Sequence, residues 1–391
     1  MTLRRPTAAA LLLALLASAV LRAEDASQPL GAPVLEPPTL HSLGVYWIIR
    51  GDQNQNAVVT LECREEGAPD AVPCLPLLRV ERGAHSAGES GSTLSLPDGA
   101  WLFAGSALLL TPGTHYELRL SLHDPDGGTH QVQCAARTLT EPVWTSPDWR
   151  VLHVAPGAGG GSGSATDPLR GLAAAQRAAK PGTLCLLQPG RYPGTFDVRQ
   201  SGEPGRPIVW RGPADGSAVL GGPDELGRPA AVGISASGRH DVWFDNLTVR
   251  HADYGIVAHD AQRLVVRHCQ VRDCEYGFTC TRNAQGQVHG LFLTDNLMVG
   301  PSTWPRQKGI ENARGIQITG SGHVVAYNRI RGYADAIDTF PSPVCAAIDV
   351  HNNELSELTD DGIEMDYSER NTRCFHNRLT KIGRASSRER V

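Results

Sequence analysis

Six acidic side chains lie in two short segments, 335–338 and 360–366, near the C-terminal end of the chain. Neighbouring carboxyl groups can serve as general acid and general base when their surroundings separate their pKa values, and several together can bind Ca²⁺. The predicted catalytic residues are Asp335, Asp338, Asp361 and Glu364, and the predicted calcium ligands are Asp360 and Asp366. A purely structural role stays open, because Asp beside Gly favours tight turns in which the side chain caps backbone amides.

The acidic segments belong to a repeat that begins near Asp245. Each unit combines apolar alternation with a small residue followed by Ile or Phe, and most units end in Asn. The small-plus-apolar pairs are Gly255-Ile256, Gly277-Phe278, Gly315-Ile316, Ala336-Ile337 and Gly362-Ile363. Steps of 21 to 26 residues, with one of 38, suit one turn of a β-solenoid. The apolar period of two indicates strands rather than helices.

Alignment of the units on these pairs predicts columns of residues on successive coils. One column contains Tyr254, Tyr276, Arg314, Asp335 and Asp361, and another contains Val257, Thr279, Gln317, Asp338 and Glu364. Since Ile337 and Ile363 must point inward, we expect Asp338 and Glu364 to point outward to solvent. Parallel coils lie ~4.8 Å apart, so this like-charged pair should raise one carboxyl pKa. The residues that close the units, Asn296, Asn328, Asn353 and Asn377, are expected to form an internal hydrogen-bonded ladder.

An insertion in one coil, residues 300–309, predicts an extruded loop beside the acidic face. We expect its Trp304 to stack on a sugar ring, unless the indole packs on the surface of its own coil. The predicted contacts to an acidic polymer are Arg306, Lys308 and Arg314. His351 is predicted to face outward on a following strand and to join this substrate-binding surface.

The N-terminal part of the chain predicts an exported protein. Residues 1–23 combine two arginines, a short apolar run and small-residue cleavage sites, which is typical of a secretory signal peptide. We therefore expect a secreted or periplasmic protein with no membrane attachment after cleavage. Nine cysteines permit disulfides in such a compartment, and Cys63 with Cys74 is the best candidate pair. The net charge of -5 does not indicate binding to nucleic acid.

After a linker at 24–39, short apolar stretches at 40–141 predict a small antiparallel β-sandwich. The segment from Leu110 to Leu118 resembles the late strands of a fibronectin type III domain, in which a Tyr after such a turn forms a corner hydrogen bond. This resemblance implies a fibronectin type III-like module. Such modules serve as spacers or binding surfaces.

The helical stretch 169–179, the apolar strand 183–187, the Pro-Gly-x-Tyr turn and the segment 202–212 resemble the first coils of the pectin-lyase-like superfamily. The resemblance implies an all-β chain in which residues 148–380 form a right-handed parallel β-helix, a solenoid preceded by the sandwich. Residues 381–391 lack apolar alternation and resemble a translated adapter oligonucleotide. We therefore expect a truncated β-helix followed by a foreign tail.

The segment 359–366 resembles the Asp-Asp-Gly-Ile motifs of β-helix glycoside hydrolases, in which clustered aspartates act as acid and base. The leading hypothesis is a secreted polysaccharide-active enzyme, either a uronan lyase or epimerase or a glycoside hydrolase. Its expected partner is a polysaccharide, its candidate cofactor is Ca²⁺, and no organic cofactor is expected. The alternative is a non-catalytic glycan-binding or surface-structural β-helix protein.

Overall fold

The computed structural model describes residues 25–80, 94, 96–143, 146–223, 230–306, 312–341 and 344–383. The predicted signal peptide and most of the predicted foreign tail lie outside these residues. The chain divides into two compact units near residue 141. Within the described part of the chain, no helix is both long enough and apolar enough to cross a membrane.

The first unit consists of two antiparallel sheets around one core, as predicted for the sandwich. Its strands are β1 (Gln28–Pro29), β2 (Val34–Leu35), β3 (Leu43–Arg50), β4 (Val58–Glu65), β5 (Val72–Pro73), β6 (Leu78–Val80), β7 (Ala100–Ala107), β8 (His115–His123) and β9 (Thr129–Arg137). One sheet has the order β1-β3-β7-β6 with β2 on β3, and the other has the order β5-β4-β8-β9. Trp47, Phe103 and Leu118 are buried between them, because alternate residues of each strand face the same core.

Two details of this unit bear on the sequence predictions. The Thr111 N–H donates to the Tyr116 hydroxyl over 3.0 Å, which is the local hydrogen bond expected for a Tyr after this turn. The fibronectin type III likeness of the whole unit stays a prediction. Cys63 and Cys74 lie in side-chain contact as free thiols.

The second unit is a parallel β-helix that begins at β10. Its strands are β10 (Arg150–Ala155), β11 (Leu169–Arg170), β12 (Thr183–Leu187), β13 (Gly190–Tyr192), β14 (Phe196–Asp197), β15 (Ile208–Arg211), β16 (Ala218–Gly221), β17 (Ala230–Ser235), β18 (Val242–Asp245), β19 (Thr248–Arg250), β20 (Ala252–Val257), β21 (Val265–Arg267), β22 (Gln270–Arg272), β23 (Tyr276–Cys280), β24 (Phe292–Thr294), β25 (Leu297–Val299), β26 (Arg314–Ile318), β27 (Gly320–Ser321), β28 (Val324–Ala326), β29 (Arg329–Arg331), β30 (Asp335–Thr339), β31 (Cys345–Ala346), β32 (Asp349–His351), β33 (Glu354–Leu358), β34 (Ile363–Glu364), β35 (Arg373–Phe375) and β36 (Arg378–Ile382). The single helix of this unit among the described residues is α1 (Leu172–Ala178).

Three long parallel sheets run along the β-helix. The first has the order β11-β10-β12-β15-β18-β21-β24-β28-β32-β35, and the second has the order β13-β16-β19-β22-β25-β29-β33-β36. The third has the order β14-β17-β20-β23-β26-β30-β34, and β27 pairs separately with β31. Each coil thus adds one strand to each sheet, so residues of successive coils align in the predicted columns.

The helix α1 is shorter than the predicted stretch 169–179. Leu169 and Arg170 form β11 and pair with Val154 and Ala155 of β10, so helical backbone cannot start there. The helix is capped by Gly171 without a side-chain hydrogen bond.

The inward column of the third sheet is the one predicted. Ile256, Phe278, Ile316 and Ile337 are fully buried in consecutive register, and Ile363 is partly buried against the same core. Each fully buried side chain contributes roughly 1.5–3 kcal/mol. The preceding small residue is required by packing, since a Cβ on Gly255 would lie 2.6 Å from the Gly277 carbonyl oxygen.

The predicted asparagine ladder is confirmed. The Asn328 Oδ1 accepts from the Asn296 backbone N–H over 3.1 Å and from its side-chain Nδ2 over 3.0 Å. The Asn353 Oδ1 accepts from Asn328 in the same way, and Asn377 continues the pattern. Each coil is therefore tied to the next by a buried side-chain amide.

The last strand corrects the predicted end of the β-helix. β36 continues to Ile382, which pairs with Leu358 of the preceding coil, and the Lys381 ammonium lies 2.9 Å from Glu357. Lys381 and Ile382 thus belong to the coil, two residues beyond the predicted limit at 380. Apolar alternation is lost at this point of the sequence, but main-chain pairing does not require it.

Candidate functional site

The outer face of the third sheet carries both a groove and the acidic residues. The groove has a volume of about 410 Å³, and its lining residues are Val232, Tyr254, Val257, His259, Tyr276, Thr279, Thr281, Asn312, Arg314, Gln317 and Phe340. Arg314 pairs in register with Asp335, Gln317 pairs with Asp338, and Asp338 in turn pairs with Glu364 on the next coil. The acidic residues therefore continue the same two columns beyond the groove.

Asp338 lies on this outer face but is not open to solvent. Its exposure is 3%, because Arg314 and Gln317 lie over it from the preceding coil. The Asp338 Oδ2 accepts from Arg314 Nε over 2.8 Å and from Gln317 Nε2 over 3.0 Å. Its Oδ1 is buried without a hydrogen-bond partner among the described residues. The prediction that Asp338 faces solvent is therefore wrong.

This environment raises the pKa of Asp338 to about 7. Burial is the main cause, since it disfavours the charged carboxylate, and the nearby Asp335 adds to it. The Arg314 charge and the hydrogen bonds from Gln317 and Arg314 oppose the shift without cancelling it. The predicted raised pKa thus arises from burial more than from the predicted pairing with Glu364.

Asp335 and Arg314 form the rest of a buried ion network. The Asp335 Oδ2 lies 2.7 Å from Arg314 Nη1, and its Oδ1 accepts from the Asp361 backbone N–H over 2.7 Å. Burial raises the pKa of Asp335, while the Asp361 N–H and the Arg314 charge lower it. Burial lowers the pKa of the Arg314 guanidinium, but the charges of Asp335, Asp338 and Glu364 outweigh burial, so this pKa is raised. Arg314 therefore holds two buried carboxyl groups at the edge of the groove.

Asp361 and Glu364 are the accessible members of the acidic group. Carboxylate oxygens of Asp335, Asp361 and Glu364 lie within 4.8 Å of one another. Burial raises the pKa of Glu364, and Asp335 and Asp366 raise it further. Burial also raises the pKa of Asp361, with the charges of Asp360 and Asp366 adding to it. Two accessible carboxyl groups with raised pKa values can exchange protons with a bound molecule.

The structure gathers a different set of possible cation ligands from the predicted one. Asp360 and Asp366, the predicted calcium ligands, are not part of the group formed by Asp335, Asp361 and Glu364. Asp335 already accepts hydrogen bonds from Arg314 and from the Asp361 N–H. Two carboxylates are therefore left for a cation, whereas Ca²⁺ takes six to eight oxygen ligands. Water or substrate oxygens would have to supply most of the coordination.

The predicted binding loop lies beside the acidic group. Arg306 Nη2 is 3.7 Å from Asp360 Oδ2, and Trp304 is half-buried. Lys308, also predicted to bind substrate, lies outside the described residues. The loop thus reaches the last acidic coil through Arg306.

The prediction for His351 is wrong. This residue lies on β32 of the first sheet, not on the sheet that carries the groove, and its exposure is 1%. Its ring stacks on Phe375 at 4.8 Å and meets Tyr327 edge-on. The side chain points away from the core, as the alternation indicates, but its neighbours cover it.

Several groove residues were not predicted to bind substrate. Tyr254 and Tyr276 stack at 4.6 Å with an angle of 11° between the rings, so each ring covers one face of the other. Asn312 donates to the Tyr276 hydroxyl over 3.3 Å. His259 Nδ1 accepts from the Thr281 N–H over 3.2 Å, and burial lowers the pKa of this histidine. For Tyr254 and Tyr276 the available signal was their position in the same aligned column as Arg314, Asp335 and Asp361.

Residues 232–387 match the family model described as a right handed beta helix region. The second unit is accordingly a right-handed parallel β-helix, in agreement with its sheets and with the prediction. Among curated proteins, the chain is similar to "Uncharacterized protein YwoF" of Bacillus subtilis (strain 168), with 27% identity over 150 residues. That alignment covers 36% of this chain and spans only 31% of the relative's length.

Two solved structures also show similarity. The alginate lyase from Paenibacillus sp. str. FPU-7 has 14% identity and a TM-score of 0.35, and the match covers 60% of this chain and 97% of that chain. The Agl-KA catalytic domain has 11% identity and a TM-score of 0.20, with coverage of 87% of this chain and 76% of that chain. The assignment of the fold rests on the sheet topology and the family match.

Proposed function

We propose that this protein is a polysaccharide-active enzyme in which Asp361 and Glu364 exchange protons with a sugar chain that lies along the third sheet. The observation that carries the proposal is the alignment of the groove with the acidic group. From Tyr254 through Tyr276, Arg314 and Asp335, the column takes three register steps of ~4.8 Å each, and Asp361 lies on the next coil. A surface of this length suits an extended polymer better than a small molecule.

The two accessible carboxyl groups suit hydrolysis of a glycosidic bond. This reaction needs one carboxylic acid to protonate the leaving oxygen and one carboxylate to act as base or nucleophile. Since Asp361 and Glu364 lie close together and repel each other when both are charged, one tends to keep its proton. Asp338 and Asp335 are positioning residues, because they hold Arg314 behind this pair.

A lyase or epimerase is the second candidate, favoured by the carboxylate group of Asp335, Asp361 and Glu364. A Ca²⁺ ion held there would neutralise a uronate carboxylate and allow proton abstraction next to it. This is the weaker candidate, because Asp335 already forms an ion pair with Arg314 and is less free to bind a cation. We also propose export to the periplasm or the medium, on the signal-peptide character of residues 1–23.

The test uses the full chain on a panel of neutral and uronate polysaccharides. New reducing ends report hydrolysis, and ultraviolet absorbance of unsaturated products reports a lyase. On the substrate found, Glu364→Gln should reduce kcat by roughly 10²–10⁴-fold, as expected for loss of an acid or base. Glu354→Gln is the matched control, because it makes the same change at an acid on the second sheet, where Glu354 forms an exposed ion pair with Arg329.

Equal activity of Glu364→Gln and the control would contradict the proposal. Binding of a glycan without any turnover by the unmodified chain would favour the non-catalytic alternative. Activity that is lost on chelation and restored by Ca²⁺, with unsaturated products, would select the lyase.

A further inference from the structure

A second cavity lies in the first coils of the β-helix, on elements that the proposed function does not use. Its volume is about 660 Å³. It lies between the glycine-rich segment 157–159, the helix α1 and the end of β13. Three arginines line it, Arg170, Arg177 and Arg191, and its lining contains no acidic side chain.

The three arginines come from three different elements. Arg170 belongs to β11, Arg177 to the last turn of α1, and Arg191 to β13. The start of α1 lies against the glycine-rich segment through a close backbone contact that only glycine permits. A Cβ on Gly171 would lie 2.2 Å from the Gly157 carbonyl oxygen, and Gly171 has a φ of +82°. The glycine-rich segment is thus an ordered wall of the cavity.

These arginines differ from most others of the β-helix. Elsewhere an arginine usually faces a carboxylate, as in Arg211 with Asp245 at 2.6 Å and Arg250 with Asp273 at 2.8 Å. Within the part of the chain that the structure describes, the three cavity arginines have no ion pair. Three arginines that line one cavity without a counter-charge give it a positive potential, which would attract an anion.

We infer that this cavity binds an acidic oligosaccharide segment through its carboxylate or sulfate groups. Guanidinium groups recognise such groups with two parallel hydrogen bonds. The volume is in the range of small-molecule sites and exceeds the need of a single inorganic ion. Charges presented by three separate elements fit a ligand whose anionic groups are spread over several sugar units. The site is an anchor for an acidic glycan, separate from the acidic face.

The experiment compares two triple variants in the full chain by isothermal titration calorimetry. One variant is Arg170→Gln, Arg177→Gln and Arg191→Gln. The control is Arg272→Gln, Arg329→Gln and Arg378→Gln, which removes the same charge from the second sheet. Both carry Glu364→Gln, so that no probe is turned over. The probes are a hexagalacturonate with carboxylates, a heparin hexasaccharide with sulfates, and neutral cellohexaose.

We expect at least one acidic probe to bind to the chain with intact cavity arginines, and the cavity variant to bind it roughly tenfold or more weakly. The control variant should lose less than about threefold, which reflects long-range charge alone. Equal losses in the two variants, no binding of either acidic probe, or equal binding of cellohexaose would overturn the inference. Complete displacement of the hexasaccharide by inorganic phosphate would also overturn it, by showing a site for a simple anion. Because binding is measured without turnover, these outcomes do not depend on the proposed catalytic function.

Discussion

Two stacks of buried polar side chains run along the same β-helix and differ in how completely they are satisfied. In the asparagine ladder, Asn328 donates from Nδ2 to Leu293 and Asn353 and accepts two hydrogen bonds on Oδ1. In the acidic columns, Asp338 leaves one buried oxygen without a partner within the described residues and shares Arg314 with Asp335. The ladder is neutral and complete, so it supports the fold. The acidic stack is charged and incomplete, which a structural element alone has little reason to keep.

The largest expected effect on stability comes from Arg314→Gln. This change leaves Asp335 and Asp338 buried without their shared positive charge, and breaking such a pair costs about 3–5 kcal/mol. Urea unfolding at pH 8, above the pKa of about 7 that Asp338 has in the native chain, measures the loss. Arg329→Gln is the control, because its 3.0 Å pair with Glu354 is exposed and contributes less than about 1 kcal/mol. Similar losses for the two variants would show that the buried network does not depend on Arg314.

The raised pKa of Asp338 predicts a fall in stability as the pH rises from about 4 to about 7. The folded state holds this proton more tightly than the unfolded state, so ionisation penalises folding, and the penalty is complete above the folded pKa. The difference between the ordinary pKa of 3.8 and about 7 corresponds to roughly 4 kcal/mol of unfolding free energy. Asp338→Asn should lack this dependence and be the more stable protein at pH 8.

The measurement is the difference in unfolding free energy between the native chain and Asp338→Asn across this range. The difference is needed because His323 acts in the opposite direction. Burial lowers its pKa to about 4, so the protein loses stability as the pH falls below about 6.5. A difference that stays flat from pH 4 to pH 8 would contradict the assigned ionisation of Asp338.

Breaking the asparagine ladder should cost less and leave chemistry untouched. Asn328→Ala removes the acceptor of two Asn296 donors and the donor to Leu293, for a loss of about 3 kcal/mol. Asn377→Ala, at the half-buried end of the ladder, should lose only about 1 kcal/mol. Turnover per folded molecule should be unchanged in both. A larger loss of stability for Asn377→Ala than for Asn328→Ala would contradict the expectation that the buried middle of the ladder contributes more than its end.

The smallest effect on stability is expected for Glu364→Gln. Removal of this charge relieves repulsion with Asp335 and Asp366 and should stabilise the fold by less than about 1 kcal/mol. Glu354→Gln is a useful comparison, because it removes an attractive pair with Arg329 and should give no gain. Thermal unfolding of the two variants at one pH decides the sign. A clear destabilisation by Glu364→Gln would assign this residue a supporting role like that of the ladder.

Much of the architecture could be predicted because a coil repeats its own pattern. The small-plus-apolar pairs and the recurring asparagines define the register, which aligns Asp338 with Glu364 and Asn328 with Asn353. Alternation also indicates which side of a strand faces outward. It cannot indicate what covers that side, since covering depends on long side chains from adjacent coils. Arg314 over Asp338 and Phe375 over His351 are both of this kind.

The alternation of residues also could not predict which acidic side chains form the close carboxylate group. Asp360 and Asp361 are neighbours in sequence, yet only Asp361 belongs to the close group with Asp335 and Glu364. The choice is made by the turn before β34, where the Asp361 N–H bonds to Asp335. Such a choice follows from local backbone geometry, which the identity of two adjacent aspartates does not determine.

The stacked tyrosines show that the third sheet presents side chains at a fixed spacing. Tyr254 and Tyr276 lie on two consecutive coils, and each coil is ~4.8 Å from the next. A duplication of one coil would lengthen the sheet by one strand and leave the spacing of all other strands unchanged. The length of this surface can therefore change only by whole coils, gained or lost, while substitutions change the side chain that each coil presents to the proposed polysaccharide.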